Sequence, residues 1–188
     1  MNCSVDIGNT LIKIGYFNES KLIKVITVKN VIELITELEI NQFEKLIISS
    51  VGNIELAKFE KFKPIIFSHE TKINVFNKYV TPKTLGIDRL AAVIGAKSLF
   101  TNKNILVIDA GTCITYDYIN DKSEYLGGGI SPGINMKYKA LHNFTSKLPL
   151  VDAVELTDLI GGSTQKSIMS GVINGTIAEI SSIIERYQ

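Results

Sequence analysis

The pattern of apolar and polar residues along the chain predicts an α/β protein. Two short apolar runs within residues 1–17, separated by a polar turn, predict a β-hairpin, and the alternation within 21–29 predicts a third strand. Apolar residues in 31–38 recur at i, i+3, i+4 and i+7, which predicts a helix. This half is completed by a buried strand of the parallel kind at 45–51 closed by Gly52, a weaker helix at 54–62 and a strand at 64–67. Such an order indicates a lobe built on a mixed sheet.

The first half ends in a connector at 74–84, which leads into a predicted helix at 85–96. A second hairpin is expected within 107–119. The core face predicted for the helix consists of Ile87, Leu90, Ala91 and Ile94.

Glycine-rich segments surround the last predicted helices. Three glycines in 127–129 permit close backbone approach, and Pro132-Gly133 predicts a turn before a helix at about 134–142. Residues 161–165 precede a final helix, where Thr164 is a possible N-cap. A seam typical of tight helix packing is formed there by Ile168, Gly171, Val172, Gly175 and Ala178.

One short motif occurs twice, at residues 5–10 and again at 107–112. In each copy an apolar run ends in a carboxylate, a glycine follows two residues later, and a threonine adds a hydroxyl. Such a hairpin tip presents backbone N–H groups beside a carboxylate that can hold a cation, which suits a metal-bound phosphate. A single copy is also a common turn without any ligand. Because the two copies occupy matching places in two halves, they favour two small lobes and a ligand site.

The start of the helix at 85–96 carries an unusual pair of charges. Asp88 in a first turn is explained by the helix dipole, worth about 0.3–1 kcal/mol, but Arg89 beside it opposes that dipole. The mismatch indicates a role for the pair beyond capping.

Composition excludes several classes of partner. The 188 residues include 20 Lys plus Arg against 19 Asp plus Glu, a formal net charge of +1, so nothing indicates a general electrostatic attraction to nucleic acid or to an anionic membrane. Cys3 and Cys113 lie in apolar runs and are predicted to be buried thiols, while His69 and His142 stand alone, so no zinc site is expected.

Neither a membrane span nor a leader is predicted. No run reaches about 18 uninterrupted apolar residues, and the N-terminus lacks a basic region followed by an apolar core. We therefore expect a soluble, cytoplasmic protein.

Taken together, the motifs resemble those of type III pantothenate kinases, a family of the actin, sugar kinase and Hsp70 ATPase superfamily. The resemblance runs nearly the length of the chain and rests on five motifs in order: Asp6-Ile7-Gly8-Asn9-Thr10 with Lys13, Tyr79 with Leu85-Gly86-Ile87-Asp88-Arg89, Asp109-Ala110-Gly111-Thr112, Gly128-Gly129-Ile130-Ser131-Pro132-Gly133, and Thr164 with Ser167, Ile168 and Gly171. It implies two RNase H-like (actin-like ATPase) lobes with mixed sheets and a cleft between them. The lobes would be residues 1–84 and 105–188, joined by a substrate helix at 85–104.

The resemblance also implies an activity: ATP-dependent phosphorylation of pantothenate to 4′-phosphopantothenate, the first step of coenzyme A biosynthesis. Asp88 would be the general base, a role typically worth about 10²–10⁴ in rate. The ATP- and phosphate-binding residues implied are Asp6, Ile7, Gly8, Asn9, Thr10, Leu11, Ile12, Lys13, Gly111 and Thr112. The substrate-binding residues implied are Tyr79, Gly86, Ile87, Asp88, Arg89 and Thr164.

Ions and a second subunit are part of the same expectation. Asp6 would orient magnesium, often through water, and Asp109 would bind a monovalent cation such as potassium or ammonium. The family resemblance further implies a homodimer, with no nucleic-acid or membrane partner. Asp6, Asp88 and Asp109 are expected to face one crevice around the terminal phosphates of the nucleotide.

The sequence departs from the family pattern at its end. Family members usually continue for several tens of residues through a Thr-Gly-Gly turn near the adenosine, whereas this chain ends at Gln188 within its last predicted helix. Substrate binding is therefore expected, while full activity is left open. The alternatives are a catalytically weak or silent relative with a regulatory or interaction role, and a phosphatase or sugar-type kinase of the same superfamily.

Overall fold

The computed structural model describes residues 1–50 and 55–188. Contacts divide the chain into two compact units, Met1–Lys103 with Asn120–Leu126, and Asn104–Ile119 with Gly127–Gln188. The lobe boundaries expected from the sequence, including the separate segment at 85–104, stay a prediction. Val51, the last residue of the strand predicted at 45–51, Gly52, and the first residue of the helix predicted at 54–62 lie outside the described residues.

The first unit is built on a mixed sheet. Its strands are β1 (Asn2–Ile7), β2 (Ile12–Asn18), β3 (Lys21–Val28), β4 (Lys45–Ser50) and β5 (Ile65–Ile66), in the order β3-β2-β1-β4-β5. The pairs β1–β2 and β2–β3 are antiparallel, whereas β4 runs parallel to both β1 and β5. The mixed sheet predicted for this half is therefore confirmed, as expected for an RNase H-like lobe.

Helix α1 (Val31–Ile40) covers one face of this sheet. Asn30 is its N-cap, since the Glu33 N–H donates to Asn30 Oδ1 (2.9 Å), and the Lys29 N–H donates to Glu33 Oε2 (2.8 Å). Leu34 and Leu38 are the fully buried residues of its apolar stripe. They pack in one core with Cys3, Val5, Ile12, Ile14, Tyr16, Val28, Leu46, Ile48 and Phe59.

The rest of the first unit differs in detail from the predicted elements. The segment Leu56–Phe62 is a 3₁₀ helix, and the connector contains strand β6 (Phe76–Asn77) and a 3₁₀ turn at Pro82–Thr84. Helix α2 (Ile87–Leu99) contacts β4. Its buried residues are Ile87, Arg89, Leu90 and Val93, so Val93 replaces the predicted Ala91 and Ile94 on the most buried face.

The second unit contains the predicted second hairpin and two helices. Strands β7 (Ile105–Ala110) and β8 (Cys113–Ile119) pair antiparallel, and the order of the second mixed sheet is β6-β9-β8-β7. Strand β9 (Glu124–Pro132) was read from the sequence only as a glycine-rich turn region. Its glycines hid the strand, because glycine has no side chain to contribute to an alternating pattern.

Helices α3 (Ile134–Asn143) and α4 (Thr164–Tyr187) pack on each other in this unit. Their core contains Tyr138, Val151, Ile168 and Val172. The N-cap of α4 is Ser163, whose side chain accepts from the Lys166 N–H, so the assignment of Thr164 as N-cap was wrong.

The small residues of α4 do not form the expected tight seam within the described chain. A Cβ added at Gly171 or at Gly175 would meet nothing within 4 Å. By length and composition, α4 is also the one helix of the described residues that could span a membrane, with a mean hydropathy of 1.3. Only 28% of that apolar stretch is buried within the described chain, and a single such helix is weak evidence for a membrane span. Ile168 and Val172 of α4 lie in the core shared with α3.

Candidate active site

The first hairpin tip places its polar residues at the end of β1. Asp6 lies opposite Lys13 in the antiparallel register, and the Gly8 N–H donates to Leu11 O (3.2 Å) to close the turn. Asn9 and Thr10, at the tip, are exposed. The role of this tip as a phosphate loop stays a prediction.

Asp6 also has a neighbour on the parallel strand that sequence reasoning missed. In the β1–β4 register Asp6 is paired with Ser49. Asp6 Oδ1 and Ser49 Oγ are both buried atoms. The sequence did contain a signal for this neighbour. Side chains alternate between the two faces of β4, which puts Leu46 and Ile48 on the core face and Ser49 on the other.

Three of the predicted substrate residues, Tyr79, Asp88 and Arg89, lie together at the start of α2. Asp88 Oδ1 accepts a hydrogen bond from the Arg89 N–H (2.9 Å), so the carboxylate covers the positive end of the helix. The Arg89 guanidinium carbon lies 6.0 Å from the centroid of the Tyr79 ring, within cation–π range. Only 7% of Arg89 is exposed, an unusual environment for a cation in a first helical turn.

Tyr79 is itself held in place by two contacts. Its ring stacks on that of Tyr125 with centroids 6.1 Å apart, and its N–H donates to Asn77 Oδ1 (2.9 Å). Of the other predicted substrate residues, Gly86 is the N-cap of α2 and Ile87 is a buried residue of its first turn. Thr164 is an exposed residue that begins α4 in the second unit.

The second hairpin tip is a tighter turn than the first, because β7 ends at Ala110 and β8 already begins at Cys113. The Gly111 N–H donates to Cys113 O (2.9 Å), two residues on, whereas the Gly8 N–H reaches three residues on to Leu11, and Asp109 is paired with Thr115. Asp109, Gly111 and Thr112 are all exposed.

Gly133 packs directly on this second tip. Its N–H donates to Thr112 O (3.1 Å), and a Cβ at this position would overlap the carbonyl oxygens of Gly111 and Thr112. The start of α3 can therefore approach the predicted phosphate loop this closely only because residue 133 is glycine.

A polar network next to Gly133 ties β8, β9, α3 and α4 together. Glu179 accepts hydrogen bonds from Lys137 Nζ (2.7 Å), from Tyr116 Oη (2.8 Å) and from the Ser131 hydroxyl, and Lys137 also donates to Thr176 Oγ1 (2.9 Å). No sequence pattern linked these residues.

Charge and burial in this network shift two pKa values. Burial acts to raise the pKa of Glu179, but hydrogen bonds from Lys137, Ser131 and Tyr116 outweigh it and hold the pKa of that carboxyl below its usual range. Burial, and then the hydrogen bond to Glu179, raise the pKa of Tyr116 to about 12. Glu179 is thus an ionised acceptor at neutral pH.

Candidate metal ligands are sparse in the described chain. Within residues 1–50 and 55–188, no group of three or more His, Cys, Asp or Glu side chains could hold a metal ion. Magnesium in nucleotide sites is commonly held by one or two carboxylates together with waters and phosphates, so the single carboxylate of Asp6 fits that ion. Asp109 is an exposed carboxylate beside a tight turn, and its oxygens are suitable ligands for a monovalent cation.

The predicted residues do not line the cavity of about 480 Å³ found in the first unit. That cavity lies at the far end of α2, where its wall includes Ile94, Lys97, Ser98, Thr101 and Asn102. Lys97 Nζ is already occupied there by the carbonyl oxygens of Lys103, Asn120 and Asp121.

Mixed sheets, with an Asp-x-Gly hairpin tip in each unit, define an RNase H-like α/β protein of the actin-like ATPase and kinase class. The profile of the type III pantothenate kinase family matches residues 3–186. A type III pantothenate kinase of Flavobacterium johnsoniae is 43% identical over 196 residues, covering 100% of this chain and 80% of the relative. One of Cytophaga hutchinsonii is 43% identical over 190 residues, covering 100% and 81%. The chain belongs to the type III pantothenate kinase family.

A solved structure supports the fold. A protein described as a Baf family transcriptional activator from Campylobacter jejuni has a TM-score of 0.61 and 24% identity, covering 96% of this chain and 78% of that protein. At this identity the likeness concerns the fold alone. The curated relatives above are all named as kinases, so the reading of a silent regulatory relative is not favoured.

Proposed function

We propose that this protein transfers the γ-phosphoryl group of ATP to the hydroxyl of pantothenate, giving 4′-phosphopantothenate and ADP in the first step of coenzyme A biosynthesis. The observation that carries the proposal is the family match over residues 3–186. The grouping of Tyr79, Asp88 and Arg89 at one helix start adds local support, because it puts a base and a carboxylate-binding cation side by side.

Asp88 is the proposed general base. Its Oδ1 is engaged by the Arg89 N–H, which fixes the orientation of the carboxylate and leaves Oδ2 as the atom to accept the hydroxyl proton. The oxygen of pantothenate then forms the bond to phosphorus as the bond to the leaving ADP oxygen breaks. The proton ends on the carboxyl group.

Arg89 is the proposed contact for the pantothenate carboxylate. A guanidinium can donate two parallel hydrogen bonds to a carboxylate, and its low exposure makes the charge interaction stronger than it would be in water. Tyr79 would hold the guanidinium plane, with Gly86, Ile87 and Thr164 as further proposed substrate contacts.

The two hairpin tips are the proposed phosphate loops. Residues 6–13 would bind with the exposed backbone and side chains of the first tip, where Asn9, Thr10 and Lys13 supply donors. Gly111 and Thr112 would contact phosphate from the second tip. Gly133 and the Glu179 network would keep that second tip in place.

Ions complete the proposed site. Magnesium, oriented by Asp6, supplies charge neutralisation on the phosphate oxygens when it is bound. Asp109 would bind a monovalent cation, potassium or ammonium. Both assignments rest on the family resemblance together with donor chemistry that fits each ion.

A cytoplasmic homodimer is the proposed state of the protein, again from the family resemblance. Sedimentation velocity at micromolar concentration tests the oligomeric state, and a species with the mass of one chain would contradict the dimer.

One assay tests the proposed reaction. The protein is incubated with magnesium, ATP, a potassium salt and pantothenate, and the phosphorylated product is measured. We expect product, and a loss of about 10²–10⁴ in kcat for Asp88→Asn with pantothenate binding largely kept. Absence of product, under conditions where a full-length family relative is active, would overturn the proposal.

A further inference from the structure

Ser49 has an environment that folding alone does not explain. Its hydroxyl oxygen is buried and has no hydrogen-bond partner among the described residues, and only 8% of the residue is exposed. Burying a hydroxyl without a partner is unfavourable, and an apolar or smaller side chain would avoid that cost. A hydroxyl kept in such a place is suited to a ligand.

The position of Ser49 relative to Asp6 indicates which ligand. The two residues are paired in the parallel register of β1 and β4, and neighbouring strands lie only about 4.8 Å apart. Both lie within two residues of the carboxyl ends of their strands, where ligands of open α/β sheets bind.

The face of the sheet on which Ser49 lies is the one away from α1. Val5 and Ile48, next in sequence to Asp6 and Ser49, pack in the core with α1, and side chains alternate along a strand. Helix α2, which carries Asp88 and Arg89, contacts β4. Ser49 is therefore a polar residue of the same sheet end as Asp6, on the strand that α2 contacts.

We propose that Ser49 is a positioning residue for the magnesium–nucleotide complex, hydrogen-bonding to the hydration shell of the ion that Asp6 orients. The inference rests on the proposed function, because it deepens the site assigned there to Asp6. The hydroxyl would thereby fix the position of the hydrated ion between Asp6 and the bound phosphates.

Isothermal titration calorimetry with ADP, in magnesium and in EDTA, tests the inference without turnover. We expect Ser49→Ala to weaken ADP binding about tenfold in magnesium and to leave binding in EDTA unchanged. The ligand-free variant should melt at the same temperature or higher, since it loses only a hydroxyl without a partner. Ser49→Thr, which restores the hydroxyl, should recover most of the affinity.

Tyr138→Phe is the matched control. Tyr138 Oη is also buried without a hydrogen-bond partner in the described chain, but it lies in α3. Removing the Tyr138 hydroxyl should leave the affinity for ADP unchanged both in magnesium and in EDTA. If Ser49→Ala binds ADP like the parent in magnesium, or weakens binding equally in EDTA, the inference is wrong and the hydroxyl is a structural feature only.

The outcomes separate this inference from the proposed function. A parent protein that binds ADP in a magnesium- and Ser49-dependent way but does not phosphorylate pantothenate would overturn the reaction and support the inference. If the parent phosphorylates pantothenate while Ser49→Ala keeps full magnesium-dependent affinity for ADP, the proposed reaction is supported and the inference about Ser49 is overturned.

Discussion

The guanidinium of Arg89 lies over the ring of Tyr79, 6.0 Å from guanidinium carbon to ring centroid, and the Tyr79 ring in turn stacks on Tyr125. The guanidinium therefore packs on the Tyr79 ring, which is itself supported by Tyr125, and does not extend into solvent. A buried and oriented guanidinium is suited to a planar anion such as a carboxylate.

Arg89→Lys tests this role. Lysine keeps the charge but loses the fork, so we expect the KM for pantothenate to rise about 10- to 100-fold, or about 1.4–2.7 kcal/mol, with the KM for ATP unchanged. Steady-state kinetics with each substrate varied would show it. Tyr79→Phe, which keeps the ring under the guanidinium, should have a smaller effect. An equal rise in both KM values would indicate general damage to the site.

Gly133→Ala should disturb the second hairpin tip, because the added Cβ would overlap carbonyl oxygens of Gly111 and Thr112. Overpacking of this kind typically costs about 1–3 kcal/mol. We expect a lower melting temperature and a higher KM for ATP. The matched control is Gly95→Ala, since a Cβ there meets nothing within 4 Å and helical alanine is favoured over glycine by about 0.5–1 kcal/mol. If Gly133→Ala and Gly95→Ala melt at similar temperatures, residue 133 does not need to be glycine for α3 to start so close to the second tip.

The Glu179 network makes stability depend on pH. The pKa of Glu179 is lowered in the folded protein, so its contribution is complete above the unfolded pKa of about 4.3 and is lost as pH falls through the folded value. Glu179→Gln should cost about 1–2 kcal/mol at pH 7, and the difference from the parent should shrink below about pH 4. Urea unfolding at several pH values measures it, and a difference independent of pH would exclude an ionised Glu179.

Potassium dependence tests Asp109. We expect a lower initial rate when sodium replaces potassium at equal concentration, and Asp109→Asn should abolish the difference between the two salts. Asp152→Asn, a change at another exposed carboxylate of the second unit, should preserve it. A parent enzyme indifferent to the two salts would remove Asp109 from its proposed role.

Much of the fold could be predicted from the sequence because it depends on local patterns. The first hairpin, α1, β4, the second hairpin and α3 lie within one or two residues of their predicted bounds. The predictions failed where the local signal was weak, as at β9 with its glycines, or ambiguous between neighbours, as at the Ser163–Thr164 cap. Adjacent hydroxyl residues offer the same capping chemistry, so only backbone geometry selects one.

By itself the sequence determined the chemistry available to this protein: two Asp-x-Gly tips, an Asp-Arg pair at a helix start, and motifs whose order identifies the family. Tertiary structure alone decided which distant residues became neighbours. Strand register put Ser49 beside Asp6, the β6–β9 pairing brought Tyr125 under Tyr79, and packing of α3 with α4 joined Lys137 to Glu179. The physical reason is that a strand or helix pattern encodes which face is buried, whereas the partner on that face is set by packing and register between segments far apart in the chain.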